Sequence, residues 1–282
     1  MCELMALSFA SPISADFSIH EFALRGEDNA DGWGLAWYPD ASVAIVKEPL
    51  KWRESGHSGF LETYPHLQSR IYLAHVRHKT VGGPPTHADT HPFAREFEGR
   101  DYCFAHNGTI LGHAELGIGR FRPVGHTDSE HVFCHLLNEM SQLGRRLEHP
   151  SDWHWLHQAL HDLNRRGKLN CLLTDGRFLC CYHDSNGWKG LHHRKVTLRH
   201  AGHRRFEDAN LSIDLEGDSQ PVNHGHVVAT EPLSKEGWYS FGRGQLIVLE
   251  HGHVRYNADE PKKAARKQPD RATLATRPRA KR

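Results

Sequence analysis

Short apolar runs broken by Gly, Pro, Asn and Asp occupy both ends of this chain, and its clearest helical patterns lie together between them. Runs of that kind suit strands, whereas apolar residues recurring every three or four positions suit one face of a helix. The helical pattern is strongest over residues 128–143, where Val132, Phe133, Leu136, Leu137, Met140 and Leu143 share a face and Thr127 is a suitable N-cap. A second helix is expected over 152–165, with shorter ones around 14–23 and within 59–69. Strands are expected at 4–9, ended by Pro12, and at 35–38 with a hairpin partner at 43–46. Further strands are expected at 71–76, 102–106, 169–174 and 178–182. Residues 184–224 are polar and weakly patterned, and order should return at 227–230, 245–249 and 254–256. Strands in runs with helices grouped between them predict an α+β sandwich more than an alternating α/β fold.

At 282 residues the chain can bury a large core, as one domain or two merged lobes. It has no apolar run of membrane-spanning length and no signal-peptide pattern, so the expected compartment is cytoplasmic and no membrane partner is expected. Six cysteines without C-x-x-C spacing predict buried thiols and not disulfides. The 25 histidines are scattered, so neither a metal nor another cofactor is expected. From Lys262 onward nine Lys or Arg face the single Asp270, a net of +8, which against +1 for the whole leaves the preceding residues at about −7. This basic tail has too little apolar surface to order itself, and a solvated extension is expected more than a nucleic-acid binder.

Several residue types could carry chemistry together. If Met1 is removed, Cys2 offers a thiol nucleophile and, in its own α-amine, a proton acceptor with a reference pKa of about 7.7 to 8.0. Asn107-Gly108 at a strand end offers a side-chain amide and a backbone N–H able to point at one oxygen, as stabilisation of an oxyanion requires. Arg77 could pair with a carboxylate through two parallel hydrogen bonds, and Asp128 with an ammonium. Taken singly, each has an ordinary structural reading: an Asn-Gly turn, a strand-end Arg, an acid in the first turn of a helix.

Taken together and in order, the residues resemble the type 2 glutamine amidotransferases, whose catalytic domain is an N-terminal-nucleophile hydrolase. The resemblance rests on Met1-Cys2, Arg25-Gly26 with Asp31-Gly32-Trp33-Gly34, Ala74-His75-Val76-Arg77, Thr90-His91-Pro92-Phe93, Ala105-His106-Asn107-Gly108 and Thr127-Asp128-Ser129-Glu130. It continues to Ala229-Thr230-Glu231-Pro232-Leu233 and Gly237-Trp238, and is nearest to the small stand-alone bacterial members. It implies a four-layer αββα sandwich over residues 2–256, with 257–282 as the tail.

The resemblance also implies Cys2 as nucleophile, its α-amine as base, and Asn107 and Gly108 as the oxyanion hole. Arg77 and Asp128 would bind the α-carboxylate and α-amine of glutamine, Arg25 and Gly26 would border the nucleophile, and His91 would stand beside the pocket in a structural or gating role. The implied activity is attack on the γ-carboxamide of glutamine, with an unidentified ammonia acceptor or partner protein. Hydrolysis of another γ-glutamyl amide, or a catalytically idle binding module, are the alternatives. One departure is that His78-Lys79-Thr80-Val81 follows Arg77, where several larger members have Trp-Ala-Thr-His.

Overall fold

Along the strand Glu3–Ile19 (β1), Leu4 and Ala6 turn to one apolar core while Met5, Leu7 and Phe9 turn to another. That alternation, repeated strand by strand, sets the layers of the molecule. The computed structural model describes residues 2–19, 32–51, 54–64, 67–77, 85–199, 203–207, 211–217 and 222–259.

After β1 come Gly32–Trp37 (β2), Ala44–Glu48 (β3), the helix Gly56–Thr63 (α1) and Gln68–Arg77 (β4). Phe93–Phe97 (β5) and Arg100–Ile110 (β6) lead to the helices Asp128–Leu143 (α2) and Pro150–Asn164 (α3). Gly167–Thr174 (β7), Phe178–Tyr182 (β8), His192–Arg199 (β9), His203–Glu207 (β10), Leu211–Gly217 (β11) and Val222–Ala229 (β12) follow. Tyr239–Ser240 (β13), Leu246–Glu250 (β14) and His253–Ala258 (β15) complete the described strands.

Sheet A runs β13-β9-β12-β1-β4-β2-β3, with the β10–β11 hairpin added along the second half of β1. Sheet B runs β15-β14-β8-β7-β6-β5, and every pairing in both sheets is antiparallel. The sheets meet face to face over Leu4, Ala6, Ile71 and Leu73 from one and Cys103, Ala105, Leu172, Cys181 and Leu249 from the other. On the far side of sheet A, Leu61 of α1 joins Trp33, Tyr72 and Val227; on the far side of sheet B, α2 and α3 cover Phe104, Leu173 and Val248. This is the four-layer αββα sandwich expected from the sequence. A truncation inside the central layer, such as Leu172→Ala, would cost about 2–5 kcal/mol.

Two expectations fail. Pro12 does not end β1, and residues 14–19 continue the strand instead of opening a helix. The ladder with β4 shifts register between Ser8 and Ile13, and at that irregularity the buried Asn223 takes over as partner. Its Oδ1 accepts from the Ser11 N–H (3.1 Å) and its Nδ2 donates to the Ser11 carbonyl (3.0 Å), so the backbone beside Pro12 is satisfied where the ladder shifts. The polar stretch 184–224 also holds three strands, β9 to β11, in which Val196, Leu198, Phe206, Ile213 and Leu215 supply the buried positions. In addition, Phe93 begins β5, a strand absent from the expected set.

Among the described residues no helix is long and apolar enough to cross a membrane, and no group of three or more His, Cys, Asp or Glu is placed to hold a metal. All six cysteines are free, five of them buried, with Cys2 half-buried. Burial pushes the buried thiols up, Cys103 to about 12, which keeps them protonated and inert. The tail from residue 260 lies outside the described residues.

Candidate active site

Continuing the alternation of β1 back from Ala6 and Leu4 places Cys2 toward the space between the sheets. Arg77 follows Ile71, Leu73 and His75 toward the same space from β4, and Asn107 follows Cys103 and Ala105 into it from β6. One end of the sandwich therefore gathers Cys2, Arg77 and Asn107, although they come from opposite sheets. The direct link is a hydrogen bond of 2.6 Å from Asn107 Nδ2 to the Cys2 carbonyl.

The start of β1 is latched on its other side. Thr230 accepts the Leu4 N–H at its hydroxyl (3.1 Å), donates that hydroxyl to the Glu3 carboxylate, and gives its own N–H to the Leu4 carbonyl (3.0 Å). A segment that would ordinarily fray is held like an interior strand. This accounts for the Thr in Ala229-Thr230-Glu231-Pro232-Leu233.

Gly108 is required on steric grounds. Its φ is +153°, and a Cβ there would lie 2.0 Å from the Lys168 carbonyl oxygen and 2.6 Å from His106 Nε2. Behind it, His106 Nε2 meets the Lys168 carbonyl (3.0 Å) and Nδ1 meets Ser129 Oγ (2.9 Å). Because a carbonyl can only accept, Nε2 carries the proton and the Ser129 hydroxyl donates to Nδ1. Burial lowers the His106 pKa, consistent with that neutral ring.

Each residue of Thr127-Asp128-Ser129-Glu130 has a separate anchor. Thr127 caps α2 by accepting from the Glu130 N–H, and Asp128 Oδ2 accepts from the Ile110 N–H at 2.6 Å, tying the helix to the end of β6. Buried Glu130 pairs with Arg95 and accepts from the Val124 and Gly125 N–H groups, which fixes the loop into the helix. The second Asp128 oxygen has no partner among the described residues.

His91 is buried, with its ring 4.2 Å from that of His75 and 4.5 Å from that of Phe93, centroid to centroid. Burial, with His75, His106, Arg77 and Lys47 nearby, holds it well below the ordinary histidine range, so it is neutral. Lys47 supports the same segment, donating to the carbonyls of Thr90 (2.7 Å) and Pro92 (3.3 Å). Gly34 makes room for it, since a Cβ there would meet the His91 carbonyl at 2.1 Å. Arg77 donates from Nη1 to the Asp89 carbonyl (3.2 Å). Arg25 and Gly26 lie outside the described residues.

Three residues at this end escaped the sequence reading. Lys189 Nζ donates to the Cys2 carbonyl at 3.3 Å, and Lys168 and Lys189 both stand over the Trp188 ring. Fully buried Asp184 places them: its carboxylate accepts from the N–H groups of Leu169, Asn186 and Trp188 and from Asn164 Nδ2, all within 3.1 Å. His183 Nε2 lies 2.9 Å from the Lys189 carbonyl, and Asn170 Nδ2 donates to that of Trp188. The only local signal is the turn-forming run Asp184-Ser185-Asn186-Gly187, one residue beyond β8.

The sequence model of the family described as glutamine amidotransferases class-II matches residues 1–273. An uncharacterized protein of Methanocaldococcus jannaschii is 38% identical over 91% of this chain and 71% of its own length. YafJ of Escherichia coli, a candidate glutamine amidotransferase by name, is 32% identical over 87% of this chain and 96% of its own. A crystal structure of a predicted glutamine amidotransferase from Pseudomonas aeruginosa superposes with a TM-score of 0.73 at 30% identity, covering 90% of this chain and 99% of that one. The fold is that of the N-terminal-nucleophile hydrolases. The chain belongs to the class-II glutamine amidotransferase family, and its general kind of reaction is that family's.

Proposed function

We propose that the protein hydrolyses the γ-carboxamide of glutamine with Cys2, freed of Met1, as nucleophile. The observation that carries the reading is the Asn107 amide donating to the Cys2 carbonyl, which puts an oxyanion donor against the residue whose thiol would attack. The thiol passes its proton to the Cys2 α-amine, and sulfur bonds to the carbonyl carbon of the γ-carboxamide. The second N–H of the Asn107 amide and the Gly108 N–H hold the tetrahedral oxyanion. As it collapses, the C–N bond breaks and ammonia leaves with the proton held by the amine. Water then cleaves the γ-glutamyl thioester, giving glutamate and restoring the thiol.

Arg77 pairs with the α-carboxylate and the second oxygen of Asp128 with the α-ammonium. His91, buried and neutral, shapes the pocket wall. The catalytic domain is residues 2–256, and the protein works in the cytoplasm. Intact mass and glutamine hydrolysis test this reading together. The expected result is loss of Met1, with ammonia release that disappears in Cys2→Ala at unchanged melting temperature. A retained Met1 without turnover would favour a binding module.

A further inference from the structure

Two ammonium groups converge on one indole beside the candidate nucleophile. Lys168 Nζ lies 5.2 Å and Lys189 Nζ 5.6 Å from the centroid of the Trp188 ring. Among the described residues neither lysine is paired with a carboxylate. Like charges gathered near one ring repel each other, and an anion bound beside them relieves that repulsion.

Both lysines belong to the mouth of the site. In the β6–β7 ladder Asn107 stands opposite Asn170 and Thr109 opposite Lys168, so Lys168 shares the inward face with Asn107. Lys189 donates one N–H to the Cys2 carbonyl and has two more to offer. Its backbone is held at φ +54°, a left-handed conformation that a residue with a Cβ adopts at some cost and that the Asp184 and His183 contacts maintain. Arg77 approaches from sheet A, whereas Lys168 belongs to sheet B. Free glutamine has a single carboxylate, which Arg77 takes in the proposed function, so it leaves the lysine pair without a counterion.

We propose that Lys168, Trp188 and Lys189 form a subsite for a carboxylate carried on the amine portion of a γ-glutamyl amide, so that γ-glutamyl amino acids or peptides are preferred over free glutamine. This rests on the proposed Cys2 chemistry and extends it. The thioester forms as the amide C–N bond breaks, the departing nitrogen takes the proton from the Cys2 amine, and water completes the hydrolysis to glutamate and the free amino acid.

The test compares γ-glutamylglycine with γ-glutamyl methylamide, which lacks only the second carboxylate. The full-length protein should favour the former by about tenfold in kcat/KM, as expected of a charge-assisted contact. That preference should shrink toward unity in Lys168→Met and Lys189→Met, survive in Lys168→Arg, and weaken as salt is raised. Equal rates on the two amides, or a preference that both Met variants leave intact, would overturn the subsite. If Met1 is absent yet neither amide nor glutamine is turned over, the proposed function fails instead. Calorimetry on Cys2→Ala then reads the subsite without turnover: tighter binding of γ-glutamylglycine that Lys168→Met removes supports it, and equal Kd values refute it.

Discussion

Asn107 and Cys2, 105 residues apart in sequence, meet through a 2.6 Å hydrogen bond across the seam between two sheets. The proposed chemistry depends on that seam. Asn107→Ala should lower kcat for glutamine hydrolysis by about 100- to 1000-fold with a smaller change in KM, because an oxyanion donor acts chiefly in the transition state. Steady-state kinetics beside a circular dichroism spectrum check this; a near-normal kcat in a folded variant would place the donor elsewhere.

Asp184 organises the segment carrying Trp188 and Lys189 through four accepted hydrogen bonds. Replacing fully buried Asp184 by Ala leaves those donors without their acceptor, two of them in the interior, and the expected loss of stability is about 2–4 kcal/mol. Urea unfolding should record that loss, and kcat/KM should fall with it because Lys189 no longer reaches the Cys2 carbonyl. A variant as stable as the parent would contradict the assignment.

Asn223 tests the middle of β1, away from the site. Asn223→Ala removes both bonds to Ser11 and should cost about 1–3 kcal/mol. Its kcat should match the parent's, since Ser11 lies nine residues along the strand from Cys2, about 30 Å at the usual rise. Denaturant midpoints and glutamine turnover, measured on the same preparation, separate the two effects.

His226 predicts acid lability. Burial, reinforced by His193, Lys195, His224 and His253, lowers its pKa from 6.5 to about 4. In that interval the unfolded chain binds the proton that the folded chain refuses, so stability is full above 6.5 and declines as pH falls toward 4. The urea midpoint should drop between pH 7 and pH 5, and His226→Gln should make the drop smaller; an equal drop in the variant would assign it to other histidines.

The sequence reading succeeds where a pattern is local and strong. Helix α2 and strand β8 have the expected bounds because six apolar residues on one face, or five consecutive buried positions, leave little choice. Elsewhere the pattern was present but outweighed. Ile13, Ala15, Phe17 and Ile19 alternate with Ser14, Asp16 and Ser18, a strand period, yet Pro12 reads locally as a stop. What overrides it is Asn223, 212 residues away from Ser11 and invisible to any local rule. In β9, Val196 and Leu198 are buried between exposed Lys195, Thr197 and Arg199, too short an alternation to stand out among polar neighbours.

Among the candidate site residues, Cys2, Arg77, Asn107 and Asp128 stood out because their residue types fit one reaction in one order. Lys168 and Lys189 were not, because a lone lysine has no signature. Their meeting over Trp188 exists only once Asp184 has folded the intervening turn.

The two sheets also differ in how far the chain must reach to build them. Strands β5 to β8 pair in sequence order, with α2 and α3 folding back on the same face, so sheet B closes largely through local connections. Strand β1 instead waits for partners near the far end of the chain, with Leu4 and Thr230 bonded across 226 residues. Loop closure over such a distance is slow, and contacts of that range are expected to form late. Asn107 is thus set in a nearly finished half while the thiol-bearing edge is still unpaired. On the proposed chemistry an incompletely folded chain has half a site, which would make catalytic competence itself a report that folding has finished.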